Sequence, residues 1–220
     1  MSLKAKLVAA ATLTAAVTAV LATPAVAAPA APAAPAAPAA PVAPVAPVAP
    51  VAAEASSSSV TEEQWLADVA AAIAPARAYV EQRVSQPSGG KPAIVLDIDN
   101  TSLATHFHPL AMPGMAPVVE LAQYAHSRGV AIIFVTARVD FMEAITRSSL
   151  QSAGYTVDEL HGRGIGDLFK SVQQYKTDER IKVENEGYTI IASIGNNWTD
   201  LNGGHAERTF KLPDYDGLLS

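Results

Sequence analysis

The chain of 220 residues contains no cysteine. This absence excludes disulfide bonds, thiolate catalysis and a lipid linked to cysteine. Basic residues are also scarce, because 15 Lys and Arg are outnumbered by 21 Asp and Glu, and the formal net charge is −6. A surface that binds a polyanion needs an excess of positive charge, so nucleic-acid binding by a basic face is disfavoured. Export remains compatible with these counts, since a domain of this size is stable without disulfides.

The N-terminal region lacks a hydrophobic run of the length that a membrane span requires. Lys4 and Lys6 precede an apolar stretch over residues 7–21, and Ala25 and Ala27 form a small-x-small cleavage pattern. This arrangement predicts a secretory signal peptide over residues 1–27 and a secreted protein without a membrane span after cleavage. An uncleaved membrane anchor is the alternative, which the run disfavours because a span needs roughly 20 apolar residues.

Residues 28–59 form a segment of low complexity. Proline recurs at every third position from Pro29 to Pro50, with Ala and Val between, and a serine run follows at residues 56–59. Polyproline II has three residues per turn, so the segment is expected to be an extended or disordered linker. Cell-wall association through this linker is one expectation. A proline-rich docking ligand is the alternative, although flanking arginines and aromatic residues are missing.

Residues 60–220 alternate between helical and strand patterns. Thr61 and Gln64 resemble a capping box and open a helix that is expected to reach Pro75. Further helices are predicted before Gly129, over residues 141–153, and from Lys176 or Thr177 to residue 187. Continuous apolar runs predict buried strands over residues 93–96, 130–136 and 188–195, with shorter strands at 155–157 and 209–212. The alternation predicts a Rossmann-like α/β fold, a parallel sheet with helices on both faces.

Polar residues follow the carboxyl ends of the predicted strands. Asp97 and Asp99 come after the first buried run, Thr136 ends the second, and residues 195–200 (GNNWTD) follow the third. The pair at i and i+2 would repel on one face of a strand, so it indicates either a solvated turn or a metal-centred site. Ligands of α/β proteins bind at this edge of the sheet, and the predicted strands bring these groups there together.

Four motifs in order resemble those of the haloacid dehalogenase superfamily of phosphatases. They are DIDNT (97–101), FVTAR (134–138), YKTDER (175–180) and GNNWTDL (195–201), and the last motif with its tail is similar to the secreted acid phosphatase branch of classes B and C. The resemblance covers residues 93–215. The short segment after Thr101 leaves room for a small flap but not for a large cap domain.

The resemblance implies a chemistry for the two aspartates. Asp97 would attack phosphorus and form an aspartyl-phosphate, and Asp99 would protonate the leaving group and later activate water. A Mg²⁺ ion would be held by the Asp97 carboxylate, the backbone carbonyl of Asp99, and Asn196 and Asp200. Relatives usually carry aspartate at position 196, so the amide here is a departure that puts the affinity for the metal in question.

The resemblance also implies groups that bind the phosphate. Thr136 would offer its hydroxyl, Ala137 its amide and Lys176 its charge, and Arg138 is a further substrate-binding candidate. Lys170 competes with Lys176, which is preferred because the motif places it near the helix before the last long strand. His106 and His108 lie in the flap segment, and whether either contacts substrate stays open.

The expected function is a secreted, Mg²⁺-dependent phosphomonoesterase that acts on small phosphate monoesters, at acidic pH by analogy. Two alternatives remain. A phosphotransferase would use the same intermediate and pass the group to an alcohol, and a cell-surface module would keep the fold with weakened chemistry.

Overall fold

The computed structural model describes residues 60–86 and 89–219. The predicted signal peptide (1–27) and linker (28–59) lie outside the described residues, and both stay predictions. Within the described part of the chain, no helix has the length and apolar composition needed to cross a membrane.

Helix α1 (Glu62–Val84) opens the domain, and the hydroxyl of Thr61 caps it by accepting a hydrogen bond from the Gln64 amide at 3.2 Å. The expected end at Pro75 is wrong, because the helix continues through this proline. An internal proline removes one backbone hydrogen bond and costs about 3 kcal/mol. The buried face of the helix continues beyond the proline with Ala76 and Val80, and this packing offsets the cost.

Within residues 60–86 and 89–219, five parallel strands form one sheet in the order β3-β2-β1-β4-β5, which confirms the predicted fold class. The strands are β1 (Lys91–Leu96), β2 (Ala131–Val139), β3 (Glu159–Arg163), β4 (Tyr188–Gly195) and β5 (Arg208–Lys211). The strand order reverses between β1 and β4, and ligand sites of such sheets lie at this switch point.

The strand predicted at residues 155–157 is wrong, since β3 begins at Glu159. Tyr155 is instead a buried anchor: its ring meets Phe134 edge-on at 5.5 Å, and its hydroxyl donates to the Ser102 carbonyl at 2.9 Å. Every residue of β3 is only half-buried because the strand lies at the sheet edge, so the sequence there lacks a continuous apolar run.

Four further helices and two 3₁₀ turns complete the part of the chain that the structure describes. The helices are α2 (Ala116–Ser127), α3 (Glu143–Ser152), α4 (Val172–Asn185) and α5 (Trp198–Leu201), and the 3₁₀ turns are Asp140–Met142 and Ile165–Phe169. Helix α4 starts earlier than expected, because the Ser171 hydroxyl caps it by accepting from the Gln174 amide. Lys176 therefore lies in the second turn of α4 and not at its start.

Helices cover both faces of the sheet. Ile94 and Leu96 of β1 face a core built with α1 and α2, whereas Ala93 and Val95 face a second core that includes Val183 of α4. Residues 97–115 cross the carboxyl edge between β1 and α2 as a small flap, in which Leu103 forms single β-bridges with Asp99 and Gly114. The residues that follow β1, β2 and β4 consequently meet at one edge.

Candidate active site

Lys176 joins two buried aspartates at the switch point of the sheet. Its ammonium nitrogen lies 2.5 Å from Oδ1 of Asp97, which follows β1, and 2.5 Å from Oδ1 of Asp200, which follows β4. The three residues are only 4 to 7% exposed. Buried charges persist in proteins when they are paired, and Lys176 is the cation that both carboxylates share.

Helix α4 and the loop after β4 hold this ion triad in place. Arg180, one turn after Lys176, donates to the backbone carbonyl of Asp200 at 2.7 Å and to that of Gly204 at 2.9 Å. The other oxygen of Asp200, Oδ2, accepts a hydrogen bond at 2.8 Å from the backbone amide of Asn197, at the start of α5. Asp200 therefore has a fixed orientation before any ligand arrives.

Burial and neighbouring charges shift the pKa values of Asp97 and Lys176. Burial raises the pKa of Asp97 to about 7, although the charge of Lys176 acts in the opposite direction. Burial alone would lower the pKa of Lys176, but Asp97 and Asp200 outweigh it and hold that pKa above its ordinary value. The lysine is therefore charged at all physiological pH values.

Asp99 and Arg138 form a bidentate ion pair. Nε of Arg138 donates to Oδ2 at 2.9 Å and Nη2 donates to Oδ1 at 2.7 Å. Burial acts to raise the pKa of Asp99, but the hydrogen bonds and charge of Arg138 outweigh this effect, so the pKa lies below its ordinary value. Asp99 is an ionised acceptor in this state, and its carboxylate is held by Arg138 of β2.

The predicted phosphate-binding groups of β2 lie in an irregular part of the strand. The register with β3 shifts between Val135 and Val139, and the shift contains Thr136, Ala137 and Arg138. Thr136 is buried and its hydroxyl accepts from the Arg138 amide at 3.2 Å, whereas Ala137 is exposed. Such irregularities redirect side chains, and here the shift lets Arg138 reach the end of β1.

Asn196 makes three hydrogen bonds to two buried residues. Its Oδ1 accepts from the Thr101 hydroxyl at 3.2 Å, its amide Nδ2 donates to the Leu219 carbonyl at 2.8 Å, and its backbone amide donates to Thr101 at 2.9 Å. Asn100 donates to the same Leu219 carbonyl at 2.8 Å. The amide at position 196 thus supplies an N–H donor that aspartate lacks.

The atoms at this edge that could coordinate a metal ion are all oxygens, which are the ligands that a hard divalent cation prefers. Asp97 and Asp200 offer two carboxylates and Asn196 an amide oxygen, while the Asp99 carboxylate is engaged by Arg138. Across residues 60–86 and 89–219, no group of three or more His, Cys, Asp or Glu side chains could hold a metal ion.

Several sequence candidates lie apart from the triad. Lys170 is exposed and pairs with Asp167 and Asp178, so Lys176 is the lysine that reaches the aspartates. His108 pairs with Glu62 of α1 at 2.8 Å, and the ring of His106 packs against Phe107.

Three functional positions were missed in the sequence. Arg180 follows Lys176 by four residues and so shares its helix face, a spacing that could have identified it. Gly195 has no such signal: a Cβ added there would lie 2.2 Å from Oδ2 of Asp200, so only glycine lets the carboxylate approach. Leu219 acts through its carbonyl oxygen, which no side-chain motif reveals.

Comparison with known proteins agrees with this geometry. Residues 110–218 match the family model described as HAD superfamily, subfamily IIIB (acid phosphatase). The chain belongs to the haloacid dehalogenase superfamily. The family match starts after the DIDNT motif, so the Asp97 and Asp99 assignments rest on the motif and on the geometry above.

Curated relatives of this superfamily member include plant proteins. The stem 28 kDa glycoprotein of Glycine max is 40% identical over 92 residues, which is 40% of this chain and 36% of that protein. Acid phosphatase 1 of Solanum lycopersicum is 30% identical over 104 residues, 46% of this chain and 41% of that protein. The chain thus spans less than half the length of the relatives that it matches.

Among solved structures, the class C acid phosphatase from Bacillus anthracis shares the fold with a TM-score of 0.55 at 17% identity. The similarity covers 65% of this chain and 67% of that structure. Identity at this level supports the shared α/β architecture of the superfamily member and nothing finer.

Proposed function

We propose that this chain is a phosphomonoesterase that hydrolyses small phosphate esters through an aspartyl-phosphate on Asp97. The ion triad carries the proposal: Lys176 holds Oδ1 of Asp97, which leaves Oδ2 as the attacking oxygen. A lysine fixed beside the nucleophile also neutralises charge on the transferred phosphoryl group, which is the main demand of this reaction.

We propose that the site uses a divalent cation, with Mg²⁺ as the expected ion, held by Asp97, Asp200, the Asp99 carbonyl and the Asn196 amide oxygen. The cations beside the nucleophile are already engaged, because Lys176 pairs with Asp97 and Asp200 and Arg138 pairs with Asp99. A divalent cation would add the positive charge that a phosphate ester requires beside these carboxylates.

Asp99 is the proposed acid and base, and Arg138 controls its availability. In the described state Arg138 holds Asp99 ionised, so it cannot donate a proton. A substrate phosphate competes for the guanidinium, because Arg binds carboxylate and phosphate with the same forked geometry. Release of Asp99 would let its pKa rise under the burial that surrounds it, and the carboxyl group could then protonate the leaving oxygen.

Thr136 and the Ala137 amide lie beside Arg138 at the end of β2 and are proposed to bind the remaining phosphate oxygens. The domain boundary near residue 60, the signal peptide and secretion are part of the same proposal. They rest on the sequence of residues 1–59 and on relatives that are named glycoproteins. Cell-wall association through the linker is retained as a proposal on the composition of residues 28–59.

The test is release of phosphate from phenyl phosphate with Mg²⁺ and with a chelator. We expect activity that the chelator abolishes and that Asp97→Asn removes, with an unchanged circular dichroism spectrum. Asp216→Asn is the matched control, because it changes an exposed aspartate whose left-handed backbone (φ 56°) asparagine also tolerates. Substantial turnover by Asp97→Asn would refute the mechanism. Added alcohols separate hydrolysis from phosphoryl transfer, since a transferase would yield new esters.

A further inference from the structure

Exposed apolar side chains concentrate at the edge of the sheet that holds the candidate active site. Within residues 60–86 and 89–219, every large hydrophobic side chain that is exposed lies in the segment that follows a strand's carboxyl end. Scattered exposed apolar residues are ordinary, but a collection on one edge indicates a binding surface. Seven of them follow β1, β2 and β3, and the six that are at least half exposed are named the apolar rim: Leu110, Phe141, Ile145, Ile165, Leu168 and Phe169.

Two of the segments that carry the rim approach Arg138 of the proposed site. Met112 of the flap lies 3.6 Å from Nη2 of Arg138, the residue that holds Asp99. Gly162 of β3 packs so closely on the end of β2 that an added Cβ would lie 3.1 Å from the Arg138 carbonyl and 3.1 Å from Cα of Asp140. The flap and β3, which leads into the 3₁₀ turn Ile165–Phe169, therefore both approach Arg138.

The dimensions of this surface suit an extended group. Neighbouring strands lie about 4.8 Å apart, so the end of β3 is about 10 Å from the end of β1. Phe141 and Phe169 are 83% and 90% exposed, and they offer aromatic surface at the β2 and β3 ends of this span. A group that starts at Asp97 and lies across both strand ends would cover these rings.

Charge at the rim restricts the chemistry of that group. Asp140 and Asp167 each approach Gly164 from the 3₁₀ turns that carry the rim, with a carboxylate oxygen 3.4 Å from the position of an added Cβ. Lys170 pairs with Asp167, so the carboxylate of Asp140 is the charge that disfavours a second phosphate or another anion nearby. The surface therefore fits a neutral apolar group better than a nucleotide or a sugar phosphate.

We propose that the preferred substrates are phosphate monoesters of neutral apolar alcohols, whose alkyl or aryl chain lies on the apolar rim. This inference rests on the proposed phosphomonoesterase function. The buried triad holds the phosphate, and contact between the chain and the rim supplies binding energy remote from the reacting atoms, which raises kcat/KM.

The experiment compares ethyl, butyl, octyl and dodecyl phosphate at concentrations at which the esters are monomeric. These esters share almost the same leaving-group acidity, so chain length changes the apolar contact and not the chemical step. Full burial of a methylene corresponds to about a fourfold gain, and a chain with one face on an open rim should gain about twofold per methylene in kcat/KM.

Rim variants locate the effect. In the double variant Phe141→Ser, Phe169→Ser, kcat/KM should no longer rise with chain length. The value for ethyl phosphate should stay unchanged. Tyr188→Ser is the control, because it removes an aromatic ring from the amino end of β4 at the opposite edge, and it should keep the wild-type dependence.

Two results would overturn the inference. One is equal kcat/KM for ethyl and dodecyl phosphate in a protein that hydrolyses phenyl phosphate, which would leave the proposed function intact. The other combines two observations: kcat/KM of the wild-type protein does not depend on chain length, and sedimentation shows a dimeric wild-type protein and a monomeric double variant. The rim would then be an interface between copies. Absence of Asp97-dependent hydrolysis of any ester would instead refute the proposed function itself.

Discussion

The side-chain amide of Asn196 donates a hydrogen bond to the backbone carbonyl of Leu219 at 2.8 Å, and both residues are buried. This contact explains why an amide is suited to a position where the family pattern leads one to expect a carboxylate. An aspartate there would turn two acceptors toward each other, because neither a carboxylate nor a carbonyl can donate.

Asn196→Asp should therefore destabilise the metal-free protein. We expect the free energy of unfolding to fall by about 1 to 3 kcal/mol, the cost of a buried polar group that loses its partner. Urea denaturation in the presence of a chelator measures it. Asn197→Asp is the control, because Asn197 caps α5 through its oxygen, which aspartate also provides. Equal stability of the two variants would show that the Leu219 contact contributes nothing.

Lys176→Met should be among the most damaging substitutions in the domain. It leaves Asp97 and Asp200 buried without their cation, and loss of one member of a buried ion pair costs about 3 to 5 kcal/mol. The deficit should shrink as the pH falls, since protonation removes the repulsion between the carboxylates. Denaturation at pH 7 and pH 4.5 measures the change. Lys170→Met, at a lysine whose side chain is 41% exposed, should shift stability far less.

His161 should make stability depend on pH. Its Nδ1 lies 2.8 Å from Glu179 of α4 and its Nε2 lies 3.1 Å from Glu159 of β3, so both ring nitrogens donate only when the ring is protonated. Burial lowers the pKa of His161, but the two carboxylates outweigh it and raise that pKa above its ordinary value.

The sign follows from the raised pKa. The contribution is fully present below the unfolded pKa of about 6.5 and is lost as the pH rises through the higher folded value. His161→Ala should therefore lower the unfolding free energy more at pH 5.5 than at pH 9. His126→Ala, at a ring 3.9 Å from Asp158 and 45% exposed, should show a much smaller difference. A pH-independent loss for His161→Ala would contradict the ionic contact.

Gly195→Ala should impair activity through Asp200. The added methyl group would lie 2.2 Å from Oδ2 and 2.3 Å from Cβ of Asp200, so the carboxylate must move. A displacement of about 1 Å at a catalytic group can reduce the rate about 100-fold. Gly166→Ala is the matched control, since its added Cβ has no atom within 4 Å. Steady-state kinetics on phenyl phosphate compares the two, and equal rates would show that Asp200 tolerates the shift.

The fold was predictable where burial leaves a local pattern. Strands β1, β2 and β4 are covered on both faces, so their apolar runs are continuous and identify a parallel sheet. The pattern fails where burial is partial or propensity is overridden. Strand β3 is half-buried along its length, and α1 continues through Pro75 because its apolar face continues to pack.

The sequence by itself determined the sheet, the order of its motifs and the edge at which Asp97, Asp99, Thr136 and Lys176 meet, because strand ends of a parallel sheet share one side. Only the tertiary structure decided which groups pair there. Lys176 spans 79 positions to Asp97, Arg138 spans 39 to Asp99, and Asn196 reaches Leu219 through a backbone carbonyl. Such contacts depend on the distances between packed elements that are far apart in the chain. The sequence pattern does not specify those distances.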